Sequence, residues 1–195
     1  MKRKFAALFL ALTMTASLLA GCGGSGDAGS AEGGEETYTL KMHLSTGTTD
    51  PIYDAAVLFA DLVSEGTSGN VTVELYPSSS LGNTADCLEG LSMRACDIVY
   101  DSLANLATLS ELANIDAVPY MYSSSDHFRA VWEGEVGETI RQAISDETGM
   151  VVMGSSLQGV RIMTTTKPVR SVADVEGLKL RVPTIPIYLD TWEWL

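Results

Sequence analysis

The chain is poor in the residues that carry covalent chemistry. Its 195 residues include only two histidines and three cysteines. It has no Cys/His spacing of the zinc-binding kind, no Gly-x-Ser-x-Gly elbow, no phosphate-binding loop and no zinc-helix motif. Cations are scarce as well. Twelve Lys and Arg stand against 25 Asp and Glu, a formal charge of −13. A chain this acidic repels phosphate backbones, which excludes a nucleic-acid partner. The same field offers no long-range attraction to an anionic ligand, so any acid it holds must be held by local arginines. Metal and cofactor chemistry have no residues to rest on, and none is expected.

Apolar runs are short after the first residues. Lys2, Arg3 and Lys4 precede the apolar stretch Phe5–Ala20, too short for a comfortable membrane span and flanked like a secretory signal. It closes on Leu19-Ala20-Gly21-Cys22, which resembles a bacterial lipoprotein signal. Residues 1–21 are therefore expected to be removed, with lipid attached at Cys22. The alternative is an ordinary signal with a chance cysteine. Several acyl chains hold a protein at a membrane far better than one. Residues 22–36 contain Gly, Ser, Ala and acids but nothing apolar larger than Ala after Cys22, so they read as a flexible tether. With Cys22 assigned to lipid, Cys87 and Cys96 remain. In an oxidising compartment they fit a disulfide; they equally fit two buried thiols on neighbouring elements.

The rest, from Thr37, is enough for one domain with a sizeable core. Alternation predicts strands at Thr37–Leu44, Val71–Tyr76, Asp97–Tyr100 and Met150–Met153. Asp50-Pro51 predicts a helix start, with Ala56, Phe59, Ala60 and Val63 on its inner face. A second helix is expected over Asn83–Met93 and a helical stretch after Tyr100 to about Ala113. A single long amphipathic helix capped by Asp126 should carry Phe128, Val131, Trp132, Ile140 and Ile144, with Gly149 ending it. Strands alternating with helices predict an α/β fold with a mainly parallel sheet. Ligands of such sheets bind beyond the strands' carboxyl ends, which points to the loops after Leu44, Tyr76 and Tyr100.

Two arginines follow on short apolar, strand-like runs: Gly159-Val160-Arg161, then Gly177-Leu178-Lys179-Leu180-Arg181-Val182-Pro183. A guanidinium matches a carboxylate bidentately and never loses its charge. Two of them aimed at one cleft would make a receptor for an organic acid; the plainer reading pairs each with a surface carboxylate. Arg129, Arg141 and Arg170 have no such context and are expected in solvent. His43 and His127 read as structural or surface residues. Thr164-Thr165-Thr166-Lys167 and Ser68-Gly69-Asn70 evoke penicillin-recognising enzymes, but the nucleophilic serine and the third lysine motif are missing.

Taken in order, Val73-Glu-Leu-Tyr-Pro-Ser-Ser-Ser-Leu-Gly82, Ala117-Val-Pro-Tyr-Met-Tyr122, Gly159-Val-Arg161, Lys167-Pro-Val169 and Val175-Glu-Gly-Leu-Lys-Leu-Arg-Val-Pro183 are similar to the solute receptors of TRAP transporters, the DctP type. The resemblance runs from about Thr37 to Leu195. It implies a periplasmic binding protein-like, two-lobed α/β receptor. The first lobe (37–158) is nearly complete; the second begins at 159 and is largely missing, as in a chain truncated at its C-terminus. It implies an extracytoplasmic, non-enzymatic protein that closes on an organic acid and passes it to TRAP-type permease subunits. Arg181 matches the family arginine that pairs with the ligand carboxylate, and Arg161 a second pocket arginine. Ser45, Ser102 and Thr184 fall at pocket positions of more variable chemistry. The chain departs from the family at Arg94-Ala95, where a glycine is usual. A receptor feeding a sensor, an extracellular hydrolase on the same scaffold, and a non-functional fragment are the competing readings. The solute itself is not legible.

Overall fold

The computed structural model describes residues 36–195; the signal, the tether and the Cys22 expectation fall, all but Glu36, outside them. Three strands form one parallel sheet: β1 (Tyr38–Leu44), β2 (Val71–Tyr76) and β3 (Ile98–Tyr100), in the order β2-β1-β3. β1 pairs with β2 from Tyr38↔Val71 to His43↔Tyr76, and with β3 from Met42↔Ile98 to Leu44↔Tyr100. The chain therefore leaves β1 to one side and returns on the other. The carboxyl ends of β1 and β3 flank the point where the strand order reverses, the place where doubly wound sheets bind ligands.

Helix α1 (Pro51–Gly66) makes the first crossover. Asp50 is extended at φ −86°, and its carboxylate accepts from the Ile52 amide at 2.9 Å, with Pro51 already shaped for the first turn. Ala56 is fully buried on the sheet, beside Phe59 and Ile52, against Met42, Leu44, Val73, Leu75, Ile98 and Tyr100. Helix α2 (Thr84–Gly90) makes the second crossover, capped by Asn83, whose side chain accepts from the Asp86 amide at 3.0 Å. His43 points away from the α1 core and meets Thr84 at the start of this helix, so both faces of the sheet are covered.

The Asp97 carboxylate explains why an acid precedes β3. It accepts from the Lys41 amide at 2.8 Å, and its own amide donates to the Lys41 carbonyl at 3.0 Å. One residue thus starts the β1–β3 ladder. The Tyr-Pro-Ser-Ser-Ser run has a comparable role. Ser78 and Ser79 both adopt φ of 55° and donate their amides to Thr46 and Leu44 carbonyls at 2.8 and 3.0 Å. Left-handed backbone costs a non-glycine about 1 kcal/mol, which these two bonds offset.

A second core lies in the helical part: Leu106, Ala113, Phe128, Trp132, Ile140 and Ile144, flanked by Leu103, Tyr122 and Val152. The stretch after β3 is two 3-10 segments, Leu103–Leu106 and Glu111–Asp116, in place of one helical run. The long amphipathic helix is also divided, into α3 (Ser125–Trp132) and α4 (Glu135–Thr148). Ser124, not Asp126, caps α3 through the His127 amide at 3.0 Å. The division falls at glycines. A Cβ on Gly134 would lie 2.6 Å from the Ala130 carbonyl oxygen, and one on Gly137 2.6 Å from the Trp132 backbone. Arg141, expected in solvent, is half-buried here and donates to the Trp132 carbonyl left open at the break, at 2.5 Å. Trp132 in turn donates its indole N–H to the Tyr122 hydroxyl at 2.8 Å.

Met150–Met153, expected as a strand, joins no ladder, and the Arg161 and Arg181 runs likewise form no strand. Strand-forming residues supply only half of a strand; a neighbouring backbone supplies the rest. The chain ends in a short helix, α5 (Pro186–Glu193).

Candidate functional site

At the order reversal, Leu44 and Tyr100 are register partners, so Ser45 and Asp101 leave the sheet side by side. Ser45 is exposed at this rim. Ser102 is one residue further on, but its hydroxyl is turned to Asp116, donating to Oδ2 at 3.0 Å. The Leu103 amide donates to the same oxygen at 3.1 Å, while Asp116 Oδ1 is buried without a partner among the described residues. Burial pushes the Asp116 carboxyl up, against the opposing pull of the Ser102 and Leu103 bonds. In this arrangement Ser102 is first a partner of Asp116.

Beneath the rim runs a half-buried polar chain. The Thr84 hydroxyl donates to Asp101 Oδ2 at 2.5 Å, and the His43 ring nitrogen Nε2 lies 3.3 Å from the same hydroxyl. With its proton committed to Asp101, Thr84 accepts from His43, which assigns the imidazole proton to Nε2. Nδ1 is then bare and unpartnered, and His43 is fully buried. Burial lowers the His43 pKa; the nearby Asp101 charge pulls it back up.

A segment without regular secondary structure meets this end of the sheet. The Tyr100 hydroxyl and Ser156 Oγ lie 2.7 Å apart, and the Gln158 amide reaches both Asp50 carboxylate oxygens at 3.3 and 3.4 Å. Gly159 follows at φ 120°, a backbone state that only glycine takes without strain, and the next turn of chain carries Arg161. Arg161 is exposed, with its guanidinium carbon 4.8 Å from the Tyr188 ring centroid and Nη2 3.5 Å from the Tyr188 hydroxyl. A guanidinium stacked on a ring keeps its outer edge open to a ligand. Tyr188 lies on α5, soon after Arg181 and Thr184.

Arg181 and Thr184 are both exposed, and Arg181 has no ion pair or hydrogen bond among the described residues. The five residues expected in the pocket thus divide. Ser45 and Ser102 share the strand-end rim, and Arg161 is tied to the helix that follows Thr184. Arg181 makes no hydrogen bond with the others among the described residues. A distinct open groove of about 510 Å³ lies among Val172, Leu178, Leu180, Val182, Leu189 and Trp192, and none of the five lines it. Asp50, Tyr100, Gln158 and Tyr188 were not anticipated. Asp50 was legible only as a helix cap; the others carry no local signal, because their roles come from contacts between distant segments. Among the described residues no group of His, Cys, Asp and Glu could hold a metal ion. None of the helices among them is long and apolar enough to cross a membrane.

Parallel strands in the order 2-1-3, helices on both faces and polar groups gathered at the strand ends define a mixed α/β, periplasmic binding protein-like fold. More specifically, the chain belongs to the DctP family, described as bacterial extracellular solute-binding protein, family 7, which residues 43–195 match. It is 35% identical over 162 residues to a solute-binding protein of Roseobacter denitrificans, covering 82% of this chain and 49% of that protein. It is 30% identical over 145 residues to the sialic acid-binding periplasmic protein of Vibrio cholerae, covering 74% of this chain and 45% of that one. A crystal structure of a TRAP periplasmic solute-binding protein from Roseobacter denitrificans with bound L-galactonate is similar at TM-score 0.68 and 30% identity, over 81% of this chain and 52% of that chain. The chain spans about half the length of these relatives.

Proposed function

We propose that this chain is the ligand-gathering part of an extracytoplasmic receptor that captures an organic acid for a TRAP-type permease. The reading is supported above all by the segment Ser156–Arg161, pinned to Tyr100 and Asp50 across the strand-order reversal and ending in an exposed, ring-stacked guanidinium. The relatives named for their ligands take sialic acid and L-galactonate, both carboxylic acids. Arg181 docks the carboxylate through a bidentate fork, and Arg161, held by Tyr188, supplies the second charge. Ser45 and Thr184 bond the ligand's hydroxyls; Ser102 does so through a hydroxyl oriented by Asp116. Residues 37–158 make the first lobe and 159–195 open the second. Closure of the lobes expels water and strengthens the ion pair, and the closed form is what the permease meets. Cys22 carries the lipid that anchors the receptor on the outer side of the membrane.

The test is a thermal-shift and calorimetric panel of sialic acid, L-galactonate, succinate and a neutral hexose. It is run on the chain and on any longer product that its reading frame encodes. A carboxylate should stabilise the protein and the neutral sugar should not. Arg181→Lys should weaken that ligand at least about tenfold, since a point charge cannot reproduce the fork. Equal response to acid and neutral sugar, or unchanged affinity in Arg181→Lys, would overturn the carboxylate reading. For the anchor, labelling cells with a fatty-acid analogue should mark the wild type and leave Cys22→Ala unmarked.

A further inference from the structure

The two cysteines that the transport reading does not use lie together under the wall of the candidate site. Cys87 is on the inner face of α2 at 4% exposure, and Cys96 precedes β3 at 1%. The chain between them folds back on itself. After Gly90 comes one 3-10 turn (Leu91–Met93), then Arg94 in the left-handed region at φ 57°. The Ala95 amide closes the reversal on the Gly90 carbonyl at 3.1 Å. Contact there is tight: a Cβ on Gly90 would sit 3.2 Å from the Ala95 Cβ. This reversal brings Cys96 back against the last turn of α2. The Cys96 thiol points inward, 3.1 Å from the Ile98 carbonyl and 3.6 Å from that of Lys41. Burial raises the Cys87 thiol pKa first, and the Cys96 thiol beside it is the next cause. The two thiols are not bridged in this structure.

We infer that Cys87 and Cys96 are a redox pair that closes to an intramolecular disulfide, stapling α2 to the start of β3. The oxidant is a disulfide, either oxidised glutathione or the active-site disulfide of a thiol oxidoreductase. One cysteine thiolate attacks it and releases one thiol; the second then displaces the other thiol from the mixed disulfide. Two protein S–H groups and one disulfide become one protein S–S bond and two thiols. The staple would act on the candidate site through Thr84, the first residue of α2, which holds both His43 and Asp101 at the strand-end rim. Occupation of the bridge in the cell rests on the extracytoplasmic reading, because a reducing cytosol keeps such thiols apart. Formation of the bridge in vitro does not.

The experiment refolds the reduced full chain, in detergent, in a glutathione buffer rich in the oxidised form. Free thiols are then alkylated and the protein is cut with trypsin. Cleavage after Arg94 separates the two cysteines, so the bridge appears as peptides 42–94 and 95–129 joined, two hydrogens lighter than their sum. The joined pair should dominate, with Cys22 outside it. The bridged form should melt about 5 °C above the reduced form, and the gain should vanish with reductant and in the Cys87→Ser/Cys96→Ser double variant. Separately alkylated Cys87 and Cys96 peptides, or bridges shared with Cys22, would overturn the pair. A bridge that forms in vitro but is reduced in protein trapped from cells would overturn the compartment instead and leave the pair standing.

Discussion

Tyr38–Val152 and Met153–Leu195 both contain runs of apolar residues, and they end in opposite states. The first stretch buries Leu44 and Ile144 completely and builds two cores. The second contains no buried residue, and leaves Val160 92% and Ile162 79% exposed. Apolar pattern is therefore not what separates them. Partners are. β1 has a strand on each side and a helix on each face, whereas the Arg161 and Arg181 runs have no ladder neighbour among the described residues. The hydrophobic effect stabilises area removed from water, and area is removed only between surfaces. The first stretch is a scaffold; the second carries Arg161 and Arg181 on backbone outside any strand or helix and meets the scaffold at Ser156 and Gln158.

The contrast breaks most visibly under core truncation. Ile144→Ala should cost about 2–5 kcal/mol in denaturant unfolding, whereas Val160→Ala should stay within about 0.5 kcal/mol. Comparable losses would mean that the second stretch is packed in solution. Next in size is Asp97→Ala, which leaves the half-buried Lys41 amide without its acceptor. A loss of about 1–3 kcal/mol is expected, and Asp97→Asn should recover part of it by keeping one oxygen in place.

Acid titration sharpens the scaffold side. The folded state lowers the His43 pKa below its ordinary value, so the unfolded chain binds the proton more readily. The stability tied to neutral His43 is complete above the ordinary histidine value of about 6.5 and falls as pH drops toward the lowered one. Melting temperature should decline over that interval, and His43→Gln should flatten the decline. Asp116 acts oppositely: its raised carboxyl takes up a proton more readily when folded, so protonation there favours the fold as pH falls through the raised value. A decline unchanged in His43→Gln would remove His43 as its source. The smallest effect belongs to Arg161→Ala. Its melting temperature should match the wild type within about 1 °C while acid binding falls, which would mark the second stretch as recognition surface and not scaffold.

Much of the scaffold was legible locally. The β1 and β2 alternation, the Asp50-Pro51 start, the Asn83 start and the Gly149 stop all depend on neighbours within a turn or two, and all appear at or within a residue of their expected places. The division between α3 and α4 was not legible from the hydrophobic period, which runs through it unbroken. It follows from how closely Gly137 approaches the Trp132 backbone, a distance set in space. The site shows the same limit. Arg161 stood out by motif, but its ring partner Tyr188 lies 27 residues away, and Gln158 reaches Asp50 across 108.

By itself, then, the sequence determined the elements with short-range causes, the α/β class, and a family membership carried by ordered motifs. Tertiary structure alone decided three further points. It settled which apolar runs became strands, since a strand exists only beside another. Ser102 turned to Asp116, and His43 carries its proton on Nε2, because buried polar groups must share partners that arrive from other segments. Tertiary structure also brought Cys87 and Cys96 together, because a left-handed turn at Arg94 reverses the chain between them.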